Sequence, residues 1–187
     1  GWRDEPLYTQ NFPLKCGKGS AYEGGIREPM IVRWPGTVQP GTRCNDYLII
    51  EDFYPSILEM AGIDDYDVPQ EIDGISFVPL LKQTKNPSQG RSLYWNCPNI
   101  WGEKGPGIGP SCTIRKDNWK MIYFYETGEK ELYDIPNDIE ENNNVAALYP
   151  QIINKLSKEL GKFLRQTNGQ RPSFKKTGKP CPWPDEI

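Results

Sequence analysis

A chain of 187 residues is long enough to bury a real core and fits one domain or two small subdomains. Its 22 basic and 25 acidic residues are interspersed, for a net charge of −3, which argues against nucleic acid as a partner, and no run approaches the roughly 20 apolar residues of a membrane span. There is no histidine, which excludes a self-contained Ser-His-Asp enzyme or zinc hydrolase.

Residues 1–29 read as an irregular segment punctuated by glycine, and the opening Gly-Trp-Arg-Asp-Glu-Pro lacks the layout of a signal peptide. Met30-Ile31-Val32-Arg33-Trp34 is a short apolar run closed by Pro35-Gly36, which predicts a strand ending in a turn. From Asp52 the pattern becomes helical: Asp52 is a plausible N-cap, Pro55 falls in the first turn, Phe53, Ile57 and Ala61 share one face, and Gly62 sits at C′. Residues 63–86 read as loop, with a boundary expected between residues 84 and 91. Beyond it come four strand candidates: Ser92 to Trp95, Cys112 to Arg115, Lys120 to Tyr125 and Lys130 to Tyr133, the last two joined as a hairpin across Thr127-Gly128-Glu129. Such an order implies an antiparallel sheet. Pro150 then opens a run in which Ile152, Ile153, Leu156, Leu160, Phe163 and Leu164 fall on one face, an amphipathic helix expected to lie on that sheet. The proline-rich tail from Thr167 reads as an extended surface wrap. The five cysteines form no C-x-x-C pair, so neither a zinc knuckle nor a complete disulfide framework is suggested, although a single Cys97–Cys112 bridge is possible.

The chemistry concentrates in residues 11–29. Lys18 stands between Gly17 and Gly19, so the backbone can approach a ligand closely and nothing shields the ammonium, an arrangement suited to an oxyanion. It is not a phosphate loop, because G-x-x-x-x-G-K-[ST] would need glycine at Phe12 and a hydroxyl residue at Gly19. An isolated G-K-G is more often a solvated turn, and its surroundings decide the matter.

Those surroundings are Asn11-x-Pro13-Leu14-Lys15-x-Gly17-Lys18-Gly19-x-x-Tyr22-Glu23-Gly24-Gly25-x-Arg27-x-Pro29, followed by Trp34-Pro35-Gly36. This run resembles the second signature of the arylsulfatase family. The resemblance continues in order through Asp52-Phe53-Tyr54-Pro55-Ser56-Ile57-Leu58, Asp73-Gly74-Ile75-Ser76-Phe77, Ile114-Arg115-Lys116 with Trp119-Lys120, and Glu131-Leu132-Tyr133-Asp134 with Asn137-Asp138 and Glu141-Asn142-Asn143.

The resemblance implies a mixed α/β fold: residues 1–88 as the end of an alkaline-phosphatase-like α/β domain, residues 89–187 as a small antiparallel sheet packed on a C-terminal helix. It implies hydrolysis of sulfate esters by the intact enzyme, with a formylglycine nucleophile made from Cys or Ser in C/S-x-P-S/A-R and a calcium ion held by aspartates. No Cys or Ser of this chain begins that pattern, and the resemblance implies that the chain starts just after the calcium-binding D-N/H-G element, so no cofactor is expected in this chain and the fragment is expected to be inactive alone. Its expected partners are the missing N-terminal catalytic portion and a sulfated small molecule or glycan, with neither nucleic acid nor membrane, in a periplasmic or extracellular setting. Lys18 is then the catalytic candidate, contacting the sulfate group, while Asn11, Tyr22, Glu23 and Arg27 support it; Glu23 and Arg27, four apart, could pair if that turn is helical. Family members often carry a histidine near the site where this chain has Asn96, and Trp95 and Trp101 could stack on a sugar, although strand aromatics are more often core. The competing reading is an aromatic-rich module that binds glycan or protein through Trp95, Trp101 and Trp183.

Overall fold

Alternation along four strands organises the larger part of the molecule. In the computed structural model, which describes residues 11–63, 65–100 and 105–187, β1 (Ser92–Cys97), β2 (Ser111–Lys116), β3 (Trp119–Phe124) and β4 (Lys130–Asp134) form one antiparallel sheet in the order β1-β2-β3-β4. Each expected strand is present, longer by one or two residues or shifted by one. Gly128, at φ +74°, closes the β3–β4 hairpin, with the Phe124 N–H donating to Glu129 O at 3.0 Å. The register aligns Tyr94, Ile114, Met121 and Leu132 across one face and Leu93, Arg115, Lys120 and Tyr133 across the other.

Each face has its own cover. On the first, α4 (Pro150–Gln166) lays Leu156, Leu160 and Leu164 against Ile114, Met121, Tyr123 and Leu132, and Phe163 stacks on Tyr94 with centroids 3.8 Å apart. This is the amphipathic helix the periodicity predicts, and Gly161 lets Asp185 approach it, since a Cβ there would stand 2.0 Å from the Asp185 carboxylate. The tail runs over the surface as expected as far as Pro180 and departs from that wrap only at its end. Ser173 and Pro180 bridge a short loop, after which Cys181 and Trp183 enter the same core and Tyr123 donates its hydroxyl to Pro182 O at 2.9 Å. A run so rich in proline looks exposed because composition does not reveal which of its apolar residues return to the sheet. On the second face lie residues 14–28, including the single turn α1 (Glu23–Ile26), with Tyr22, Ile122, Tyr133 and Ile135 as a second core.

Pro29–Arg91 forms a separate compact unit, whereas the described residues up to Glu28 group with Ser92–Ile187. In this second unit Met30 to Trp34 is not a strand. The run enters the turn at Pro35-Gly36 as expected, but it pairs with no strand among the described residues, and Ile31 is 96% exposed. A helix, α2 (Phe53–Met60), follows a 3₁₀ turn over Ile50–Asp52 and ends in a Schellman arrangement: Gly62, at φ +71°, donates to Glu59 O and Ile63 to Leu58 O. Its buried side is not Phe53, Ile57 and Ala61, since Ile57 and Ala61 are exposed. It is the polar pair Asp52 and Ser56. Nor does the Asp52 side chain cap α2. It accepts the N–H groups of Ile49 and Ile75 at 3.0 and 2.9 Å and pairs with Arg91 at 2.7 Å, so a carboxylate that could have served one helix end ties three segments together. Ser56 Oγ donates to Asp52 O and accepts the Phe77 N–H at 2.9 Å. Within the stretch expected as loop, Val78–Leu81 forms the one-turn helix α3. All five cysteines are free thiols, so the Cys97–Cys112 bridge does not form; these residues lie on opposite faces of adjacent strands, Cys112 facing Asn96 across the ladder and Cys97 facing Ser111.

Candidate active-site loop

Residues 11–25 form a loop held by its own backbone carbonyls. The Asn11 amide donates to Cys16 O and Gly24 O at 3.2 and 3.0 Å, and the Gly24 N–H donates to Lys15 O at 3.0 Å. The Ser20 N–H reaches Gly17 O at 3.0 Å, which encloses Lys18 and Gly19 in a tight turn; Gly19 takes φ +89°, Gly17 is buried and Lys18 is exposed at the tip. The paired glycines of α1 fit under this turn without room for a side chain. A Cβ on Gly24 would stand 2.4 Å from both Lys15 O and Cys16 O, and one on Gly25 would stand 2.1 Å from Ser20 O and 2.7 Å from Gly17 O. A second clasp comes from the loop before β2, where Gly107 O accepts the Ala21 N–H at 2.9 Å and Pro106 O accepts Ser20 Oγ–H at 3.1 Å.

Beneath α1 lies a buried charge network. Glu23 points into the sheet, where Lys120 Nζ stands 3.0 Å from its Oε1 and 2.8 Å from Glu141 Oε1; Lys120 and Glu141 are both 0% exposed. Glu141 also accepts the Glu23 backbone N–H on Oε2 at 2.6 Å, and its carbonyl accepts Lys15 Nζ at 2.8 Å. Two guanidiniums stand farther from Glu23, Arg27 at 3.7 Å and Arg115 at 3.9 Å, separations of Coulombic attraction rather than hydrogen bonding. Burial pushes the Glu141 carboxyl above its ordinary range, and the Lys120 ammonium counters the shift. Lys15 lies over the ring of Tyr22, 4.0 Å from its centroid, while Tyr22 and Tyr133 each donate a hydroxyl to Glu131 at 3.2 and 3.0 Å. Burial, then the Glu131 charge, raises both phenols well above their normal values, so they remain protonated donors.

The sequence candidates divide accordingly. Lys18, Asn11, Tyr22, Glu23 and Arg27 belong to one loop, and Glu23 and Arg27 face each other because the turn between them is helical. Trp95 is half-buried on the sheet face that this loop covers. Asn96 points to the opposite face, where its amide donates to Gln170 O at 2.9 Å and accepts the Tyr125 hydroxyl at 3.1 Å. Trp101 lies outside the described residues. Trp183, named for the binding-module reading, is 8% exposed under Arg171 and beside Tyr125, and so is core rather than surface. The motifs that carry the resemblance contain Lys120, Glu141, Lys15 and Glu131, but sequence reasoning gave none of them a role. One signal was available: in Trp119–Phe124 the lysine has the same parity as Ile122 and Phe124, and a cation at an inward-facing position requires a buried carboxylate.

Residues 16–167 match the family described as N-sulphoglucosamine sulphohydrolase, C-terminal. The chain belongs to the sulfatase family. A sulfatase of Formosa agariphila is 29% identical over 94% of this chain and 34% of its own length, and arylsulfatase K of Xenopus laevis is 30% identical over 76% and 27%. Among solved structures, Ps i-CgsB in complex with k-i-k-neocarrahexaose is similar at a TM-score of 0.69 and 30% identity, covering 82% of this chain and 32% of that one. The sheet and C-terminal helix are those of a sulfatase C-terminal domain, in the alkaline-phosphatase-like superfamily. The chain spans about a third of the length of these relatives. Among the described residues no helix is long and apolar enough to cross a membrane. No three His, Cys, Asp or Glu side chains among the described residues converge for a metal, and the buried carboxylates Glu23 and Glu141 face an ammonium instead.

Proposed function

We propose that this chain is the C-terminal portion of an enzyme that hydrolyses sulfate esters to an alcohol and inorganic sulfate, and that its contribution to the reaction is Lys18. The observation that carries this reading is the placement of Lys18 at the exposed tip of a glycine-flanked turn whose two flanks are immobilised by backbone hydrogen bonds. An ammonium on a flexible stem loses rotamer entropy whenever it grips an anion, and a rigid turn confines that cost to the side chain. The attraction of an ammonium for sulfate oxygens grows as negative charge accumulates on the ester oxygen. Lys18 thus stabilises charge, and Asn11, Tyr22, Glu23 and Arg27 hold its loop.

The nucleophile, and the calcium and formylglycine chemistry of the family, belong in this reading to the N-terminal catalytic portion, which is this chain's principal partner. The substrate is a sulfated small molecule or glycan, and the setting is periplasmic or extracellular.

Kinetics on a generic aryl sulfate test the proposal. The 187-residue chain alone should give no turnover. In the full-length enzyme, Lys18→Ala should lower kcat/KM by roughly 10²- to 10³-fold, the scale of losing one charge-stabilising donor, with a large share in kcat. Arginine at this position should rescue poorly, because its planar fork is broader than the ammonium. Near-normal kcat/KM in Lys18→Ala would remove Lys18 from the mechanism.

A further inference from the structure

We infer that Lys120 and Glu141 are positioning residues for the sulfatase reaction, acting on the chemistry through Lys18; the inference rests on the role proposed above for that lysine. The mechanical chain is continuous. Lys120 grips Glu23 Oε1 at 3.0 Å from below, and Glu141 holds the Glu23 backbone N–H at 2.6 Å. Glu23 opens α1, whose next two residues have no Cβ and press directly on the carbonyls of Lys15, Cys16, Gly17 and Ser20. Those four carbonyls bracket the turn that presents Lys18. Glu141 adds a second hold from the other side, because its carbonyl accepts Lys15 Nζ at 2.8 Å. It reaches both points by taking a left-handed backbone, φ +51°, that a non-glycine residue adopts only when its surroundings enforce it.

A lysine among apolar neighbours is a poor way to gain stability alone, because desolvation offsets much of the ion-pair attraction, and buried ionic groups are better explained where they fix one geometry among several. Here the geometry fixed is the height and tilt of α1 over the sheet. An apolar contact would let α1 slide, whereas Lys120 between Glu23 and Glu141 admits one seat. Displacing a substrate-positioning group by about 1 Å can cost on the order of 10²-fold in rate.

The test is a double-mutant cycle in the full-length enzyme, with Lys120→Met and Glu141→Gln each made alone and in the Lys18→Ala background, and with kcat and KM on an aryl sulfate. Lys120→Met alone should lower kcat by up to about 10²-fold while KM changes little. Added to Lys18→Ala it should cost no more than about twofold further, because the group it positions is gone. Equal losses in both backgrounds, or an unchanged kcat in a folded Lys120→Met enzyme, would overturn the inference. Should Lys120→Met fail to fold, Glu141→Gln, which keeps its shape and one acceptor oxygen, carries the same comparison with a smaller loss expected. Failure of the Lys18 reading is separable, since it shows in the Lys18→Ala enzyme on its own.

Discussion

At the scale of single residues, the sharpest constraint is on glycines that cannot bear a side chain. Gly25→Ala forces a methyl to within 2.1 Å of Ser20 O, a backbone atom that moves only if the Lys18 turn moves. The substitution should therefore reduce activity of the intact enzyme severely. Gly36→Ala, at φ +80° with no atom within 4 Å of its Cβ, should cost only about 1–2 kcal/mol of strain, and a thermal melt of each variant compares them. Ser56→Ala leaves the buried Phe77 N–H without its acceptor and should cost about 1–3 kcal/mol. Thiols offer an independent check on burial. Cys44 and Cys97 are exposed and should alkylate in the native chain, whereas burial pushes the Cys112 thiol up to about 12, and it should react only after unfolding. Native labelling of Cys112 at the rate of Cys44 would contradict the packing of β2.

At the scale of elements, α4 is held to the sheet by both apolar and ionic contacts, and these respond differently to conditions. Leu160→Ala empties a fully buried site and should cost about 2–5 kcal/mol, read from denaturant unfolding. Burial opposes ionisation of Glu159, but hydrogen bonds from Lys116 and Ser92 and the Lys116 charge together hold its carboxyl below the usual range. A hydrogen-bonded ion pair with Arg165 does the same for Asp185. Both folded-state values lie below the unfolded ones, so this stability is present above the ordinary carboxylate range and is lost as pH falls through the depressed values. Glu141, raised by burial, has the opposite sign and partly offsets the loss. The melting temperature should thus fall as pH drops through and below the ordinary carboxylate range, and Glu159→Gln should flatten that decline; a parallel decline in the variant would exclude Glu159 as its source. These elements were also the legible ones. β1 to β4 follow from short runs of strand-forming residues bounded by turns, and α4 from 3.6-residue periodicity with one apolar face, because each is a local pattern. Met30 to Trp34 misled because strand propensity cannot supply a pairing partner, and Asp52 because a local cap and a long-range hub look identical in sequence. The loop was recognisable from Gly17-Lys18-Gly19 and Tyr22-Glu23-Gly24-Gly25, yet its foundation was not, since Lys120 and Glu141 lie 97 and 118 residues beyond Glu23.

At the scale of the whole molecule, the sheet has two covers that differ in sequence distance. One is the C-terminal helix with a tail whose Cys181 and Trp183 belong to the core, so truncation after Pro180 should uncover Tyr123 and Tyr125 and produce dye binding typical of exposed apolar surface. The other is the Lys18 loop, separated from the strands it rests on by the entire Pro29–Arg91 unit. Closing a longer loop adds little free-energy cost, about 0.6 kcal/mol per doubling, but distant contacts form late. The hairpins and α4 are assembled from near neighbours, whereas Lys15 must find Glu141 across 126 residues. In refolding, amide protection should therefore appear across β2 to β4 before it appears at Glu23. On gentle heating the order should reverse, and the Lys18 loop should detach while the sheet still stands, so that the anion contact proposed for it is lost ahead of the fold.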